Sequence, residues 1–429
     1  MKGSGVYRVD DPGSMPFLLP AVLGAGTGFL AWPHAIWLAP LSLLLLPVVS
    51  RKHWLSPFVL MLGYHLASTC GLIRGTSDFF LHAGLLLGIV FWSLSSLLFA
   101  LPYLAYRYIA LYFRGGGLGS VVATLLTSMV STVLPPLGIV GWTSPWIGVL
   151  PAGWLGILLI VCAVYALGRW AVHGFTWKPI LFCILVLGFN GFGLPVLAAR
   201  VPTLSHGCRL SLPQGCLPQG WGCRLQGWVG VNTHLGRLYS GLSYINASMQ
   251  LVPKVLQDLR SGDKVVLLPE GIAGPWLPGT QAIWQTVIRW TARHPEQTVL
   301  LGAAVPRGRG YLDALVQIHD GHQKILPDHI PVPFSMWHPW QPRGSFRMAP
   351  FSRKPETTEI SGKKVGYLIC YEQLLIWPAL DLYPRGIQVL LAPANDWWAR
   401  GTDIPAIQRA SAKAWGAFLG VPVLFAVNQ

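Results

Sequence analysis

The chain has 429 residues, 52% of them hydrophobic and only 11% charged, and its mean hydropathy is +0.49. A soluble domain carries about 25% charged residues, so the composition excludes an ordinary water-soluble globule. The net charge of +15 is spread over loops, without a basic run or an aromatic-basic repeat, and points away from direct nucleic-acid binding.

The apolar residues are concentrated in the first half. Up to Arg200 the chain holds 10 Lys and Arg and 3 Asp and Glu; beyond it, 21 and 13. Residues 1–14 are polar, with no apolar core ending in a cleavage site. Hydrophobic spans follow over 16–33, 34–50, 55–73, 80–105, 118–141, 150–172 and 178–198. A transmembrane helix needs about 20 mostly apolar residues, with a lower limit near 17, so about seven spans are expected. The first two, broken at Trp32-Pro33, read alternatively as one re-entrant pair. With the N-terminus in the cytoplasm, Lys2, Arg8, Arg51, Lys52, Arg107, Arg114, Arg169 and Lys178 fall inside and only Arg74 outside. That bias fixes the orientation by the positive-inside rule, and seven spans would put everything after Arg200 outside the cytoplasm. Asp78 is the one charged residue near a span, at its edge, which argues against a transporter.

Cys70, Cys162 and Cys183 lie in apolar spans and read as core residues. Residues 200–230 read as a linker with a local duplication: Gly-Cys-Arg-Leu begins at 207 and 222, Leu-Pro-Gln-Gly at 212 and 217. Cys208, Cys216 and Cys223 lie there with no His or fourth Cys to complete a zinc set, so no metal and no cofactor is expected. One disulfide among them fits an oxidising compartment. Trp221 and Trp228 suit a bilayer interface.

From 231 to 429 the pattern becomes α/β. A helix over 240–260 precedes a strand over 264–268 that runs into Glu270. A second helix over 279–294 is followed by strands over 298–303 and 311–319. The strand over 365–369 ends on Cys370, with a helical stretch from about Glu372. A strand over 389–393 leads to Asn395-Asp396, and a helix over 405–416 precedes a last strand over 421–427. Short buried strands alternating with helices give a layered sheet domain. Two strand ends that carry a Glu and a Cys supply a base and a nucleophile, and a thiol at a strand-to-helix elbow lies near backbone N–H groups that stabilise an oxyanion. Either residue alone would read as structural; together, in this order, they read as a site.

These residues resemble the nitrilase superfamily, and within it the membrane-anchored branch of the apolipoprotein N-acyltransferases and, more closely, the related plasmid conjugal-transfer proteins. The likeness rests on Leu-Pro-Glu270-Gly, on Val-Gly-Tyr-Leu-Ile-Cys370-Tyr-Glu-Gln, on Ala-Asn395-Asp-Trp-Trp and on the closing Gln408-Arg-Ala through Asn428. It implies a seven-span α-helical membrane domain over 1–199 and an αββα nitrilase-like domain over 231–429, periplasmic and anchored in the inner membrane of a bacterium. It further implies Glu270 as general base, Cys370 as nucleophile and a lysine as oxyanion cation, with Tyr371 and Glu372 supporting and Asn395 and Asp396 shaping the pocket. The family lysine stands in Lys-x-His-Leu-Val-Pro-Phe-Gly-Glu. Here the stretch is Lys324-Ile-Leu-Pro-Asp-His-Ile-Pro-Val-Pro-Phe-Ser-Met336. The aligned position falls near Pro327 or Asp328, so Lys324 serves only if the backbone takes in extra residues; His329 is a poorer substitute. The acyltransferases also continue beyond the point corresponding to Gln429, through further strands and a membrane helix.

The resemblance implies acyl transfer from a phospholipid donor through a Cys370 thioester to an amine, on a lipoprotein or another acceptor. Two other readings stand beside it. One is a nitrilase-like amidohydrolase in which water ends the cycle; the other is a non-catalytic membrane scaffold of a conjugation apparatus.

Overall fold

The computed structural model describes residues 17–80, 84–133, 143–173, 178–188, 222–225, 227–332, 335–338, 345–347 and 357–429. The apolar half contains α1 (Leu18–Ala31), α2 (Leu41–Val49), α3 (Ser56–Ser68), α4 (Gly71–Phe79) and α5 (Gly84–Ala100), then α6 (Tyr106–Tyr112), α7 (Gly116–Val133), α8 (Gly153–His173) and α9 (Lys178–Gly188).

The expectation of about seven spans is not met. Among the described residues two helical stretches are long and apolar enough to cross a membrane, Gly84–Tyr112 and Pro145–Val172; the pair α3 and α4, bent by 55°, makes a third if counted as one span. The reason is length. At about 1.5 Å per residue, the 14 residues of α1 rise only about 21 Å, against a hydrocarbon thickness of about 30 Å. The Trp32-Pro33 break and the 3-10 turn Ile36–Leu38 separate α1 from α2, which itself carries Pro47. The part of the last expected span beyond Gly188 and the cysteines Cys208 and Cys216 lie outside the described residues.

Short helices hold together here by close approach. Gly24 and Gly28 on α1 face the backbone carbonyls of Leu60 and Tyr64 on α3, where any Cβ would collide, and Gly63 faces Ala21 in the same way. Small residues four apart let two helix backbones meet, which suits lipid, where apolar burial gives little drive.

The second half forms two sheets. One has the order β1 (Gly222–Leu225), β2 (Trp228–Val231), β3 (Val265–Leu267), β4 (Thr298–Arg307), β5 (Gly310–His319), β6 (His322–Pro327). It therefore begins within the stretch read as a linker. The other has the order β10 (Val423–Asn428), β9 (Val389–Asn395), β8 (Lys363–Tyr367), β7 (Thr358–Ile360). The strands β2, β3 and β4 run parallel, as do β8, β9 and β10. The period-two alternation of strands sorts the side chains. Val265, Leu267 and Leu300 point between the sheets to meet Val389, Leu391 and Leu424. Val266, Leu268, Val299 and Leu301 point outward to α10 (Gly241–Arg260) and α11 (Pro278–Arg293). On the far side α13 (Ile404–Leu419) covers the second sheet. The layering is αββα.

Asn428 joins the sheets at one end. Its amide oxygen accepts from Thr233 Oγ1 (2.8 Å) and the Leu235 N–H (3.0 Å), while its Nδ2 donates to Asn395 Oδ1 (2.8 Å) and the Gly236 carbonyl (2.9 Å). The apolar half and the sheet domain share one core: Tyr64, Phe99 and Ile147 belong to the same packed cluster as Tyr371, Leu374 and Trp415.

Candidate active site

Strand β3 leaves the sheet at Leu268 and turns through Pro269 to Glu270. Gly302 on β4 permits the turn, since a Cβ there would strike the Pro269 carbonyl. Strand β8 runs through Leu368 and Ile369 to Cys370, whose φ is 44°. A non-glycine residue in that left-handed region is held against its preference, as active-site elbows commonly are. Several bonds hold it. Gln408 Nε2 donates to the Cys370 carbonyl (3.1 Å), and Gln373 Nε2 donates to the carbonyls of Leu368 (3.1 Å) and Pro393 (2.8 Å). Ser411 Oγ (2.7 Å) and Trp415 Nε1 (3.1 Å) donate to the Gln373 carbonyl. The helix expected from Glu372 is broken into a 3-10 turn, Cys370–Leu374, the short α12 (Ile376–Leu380) and a second 3-10 turn at Tyr383–Arg385.

Glu270 and Cys370 meet. Both line one chamber, with Asn395 beside them. Tyr371, expected as a supporting residue, is buried and lines the same chamber; Glu372 lies behind it. Glu372 Oε1 accepts from the His329 N–H (2.9 Å) and Oε2 from the Ile369 N–H (3.0 Å), so this carboxylate ties the elbow to the segment after β6. Asp396 is buried beside the site, with Oδ1 lacking a partner. Burial and the Glu270 charge push its carboxyl up to about 7, while Arg409 pulls the other way.

Lys324 lies elsewhere. The β5–β6 pairing runs unbroken from His319↔His322 to Ala314↔Pro327, and the Asp328 N–H continues it by donating to the Asp313 carbonyl (2.8 Å). No residue is inserted, so Lys324 stays four positions from Asp328, about 13 Å along the strand. Its exposed ammonium donates to Thr358 Oγ1 (3.3 Å). It does not line the chamber. The position facing the site is Asp328, whose carboxyl is pushed well up by burial and by the charges of Glu372 and Glu270.

Asp313 on β5 was not singled out from the sequence. It is buried and lines the chamber beside Glu270. Burial, with the Glu270 and Asp328 charges, pushes the Asp313 carboxyl well above the usual carboxylate range. Burial also raises Glu270, and among the described residues Glu270 Oε2 has no partner. The sequence did carry a signal: Asp313 is a lone acid among apolar residues in Tyr-Leu-Asp-Ala-Leu-Val.

The chamber holds about 600 Å3. Its polar end carries Glu270, Asp313, Cys370 and Asn395; its walls include Tyr244, Tyr311 and Trp398 from the sheet domain. The remaining wall comes from the apolar half, as Leu72, Thr76, Phe79, Phe80 and Phe91. Phe79 stacks on Trp397 with centroids 5.7 Å apart, and the Arg237 guanidinium lies over the Trp397 ring, 5.1 Å from its centroid. Among the described residues no lysine lines this space, and no cluster of three or more His, Cys, Asp or Glu is arranged to hold a metal ion.

No family model matches the chain. It is 29% identical over 425 residues to the conjugal transfer protein TraB of Agrobacterium fabrum, covering 95% of this chain and 91% of that one. It is 29% identical over 378 residues to a probable conjugal transfer protein TraB of Sinorhizobium fredii, covering 85% and 86%. Among solved structures, a variant of the Nesterenkonia AN1 amidase from the nitrilase superfamily overlaps 46% of this chain and 74% of its own, at 13% identity and a TM-score of 0.36. Along nearly its whole length, then, this chain resembles the conjugal transfer proteins TraB.

Proposed function

We propose that this protein is a nitrilase-like thiol acyltransferase of the bacterial inner membrane that serves conjugal transfer, with its sheet domain on the periplasmic side. One observation carries the reading: Cys370 and Glu270 together line the polar end of a chamber whose other wall is built from the apolar helices. Such a space suits an acyl chain with its ester carbonyl at the thiol. Glu270 takes the thiol proton, and sulfur attacks the carbonyl of a phospholipid ester. The oxyanion collapses to a Cys370 thioester as the lysolipid alkoxide leaves with the proton from Glu270. An amine then attacks the thioester, forming an amide and returning the thiol. Backbone N–H groups at the elbow and at Asn395 supply oxyanion donors, each commonly worth about 3–4 kcal/mol.

A second reading has its own observation. Glu270, Asp313 and Asp396 lie about the thiol, no lysine among the described residues lines the chamber, and Cys370 is raised well above an ordinary thiol by burial and by Glu270 and Asp396. That set suits a chamber that binds an acyl chain without turning it over. Intact-mass analysis of the protein purified in phospholipid separates the two. Acyl transfer requires an acyl adduct on Cys370 that hydroxylamine removes, that Cys370→Ser abolishes and that Glu270→Gln prevents. Co-purifying lipid with no adduct on the wild-type protein would leave only the binding reading.

A further inference from the structure

The helix α10 begins beside the chamber, and its outward face changes character along its length. Tyr239 is 78% exposed, Leu242 67% and Met249 62%, with Ile245 exposed between them. Leu242, Ile245 and Met249 follow the spacing of one helical face, and Tyr239 stands just before the Ser240 cap. Asn246 is exposed beside the stripe, and farther along the exposed residues are Gln250, Pro253, Gln257 and Arg260. Large apolar side chains standing together in water are costly and mark a contact surface.

Three observations identify what covers this one. Leu238, Tyr239 and Tyr244, at and just before the start of the helix, line the chamber mouth together with Phe79 and Phe80 of the apolar half, so the stripe continues the surface of those helices. The first turn holds no acidic residue, and the helix N-terminus, capped by Ser240 through the Ser243 N–H (3.2 Å), presents positive dipole. An exposed Arg237 flanks the stripe. An apolar face with a cation at its border and a polar far end is the pattern of a helix lying in a lipid surface.

We propose that Tyr239, Leu242, Ile245 and Met249 rest in the lipid headgroup layer, holding the chamber mouth at the depth where acyl esters lie. The occupant is the bilayer surface itself. This rests on the membrane seating proposed above, and the experiment separates the two.

The full-length protein is placed in phosphatidylethanolamine–phosphatidylglycerol nanodiscs, with a benzophenone amino acid at one position at a time. Leu86, 73% exposed on α5, reports membrane seating; Leu242 and Met249 report the stripe; Gln257 is the polar control. Lipid adducts at Leu242 and Met249 within about threefold of those at Leu86, with Gln257 near background, are expected for a surface-lying helix. Adducts at Leu86 but none at Leu242 and Met249 overturn the proposal and leave the seating intact. Crosslinks from Leu242 to a second protein chain also overturn it, assigning the stripe to a protein contact. No adduct at Leu86 removes the seating, and this proposal with it.

Discussion

Cys370 is held in a backbone conformation that favours glycine while its thiol is made hard to ionise. The first feature aims the sulfur; the second suppresses its reaction with anything the chamber does not bind. Asp396 contributes to that suppression, so Asp396→Asn should lower the thiol pKa and speed alkylation of Cys370 by a neutral iodoacetamide at neutral pH, read by peptide mass. The same change has a stability signature. A carboxyl whose folded pKa is raised favours the folded state most at low pH, and that contribution is lost as pH rises from the unfolded value near 4 through about 7. The melting temperature in detergent should therefore fall over that window, and Asp396→Asn should flatten the fall. Lys324→Ala should leave Cys370 acylation within about twofold, the scale of an exposed hydrogen bond. Glu270 and Cys370 were legible because each ends a readable strand. The acids around them were not, because Asp313 and Asp328 are brought in by the register of β5 with β6, a non-local property.

At the scale of elements, the site depends on one glutamine and one helix contact. Gln373→Leu removes the donor from the Leu368 and Pro393 carbonyls, and a buried unsatisfied group costs about 1–3 kcal/mol. A drop in melting temperature is expected, together with loss of any Cys370 adduct; an unchanged protein would show that the elbow is held by other means. Gly28→Leu should separate α1 from α3, since its Cβ would meet the Tyr64 carbonyl. Overpacking of this kind typically costs about 1–3 kcal/mol. The strands β3, β4, β5, β8, β9 and β10 were read close to their places because each is a short buried apolar run, whereas β6 and β7, with exposed polar residues, were not read at all. The helices of the first half were overextended, since hydropathy counts apolar residues without seeing where a proline or a bend divides them: the span read over 55–73 crosses the 55° bend between α3 and α4.

For the whole molecule, the number of crossings decides the side on which the sheet domain lies. Three crossings among the described residues, with α3 and α4 counted as one, would keep the orientation that the loop charges favour; two would return the domain to the cytoplasm. A periplasm-dependent reporter fused after Gln429 should be active, and activity of a cytoplasm-dependent one there would reverse the assignment. The shared core has a consequence for how the protein comes into being. Tyr371 and Leu374, immediately after the thiol, pack into the same cluster as Tyr64, Phe99 and Ile147 of the apolar half. A ribosome delivers that half first, so the elbow has no backing until the helices are seated. The thiol is thus assembled last, in place, and a fragment carrying residues 222–429 alone should emerge as an aggregate with an ordinary, freely alkylated cysteine. On the membrane seating proposed above, delivery to the membrane would be the step that completes the site.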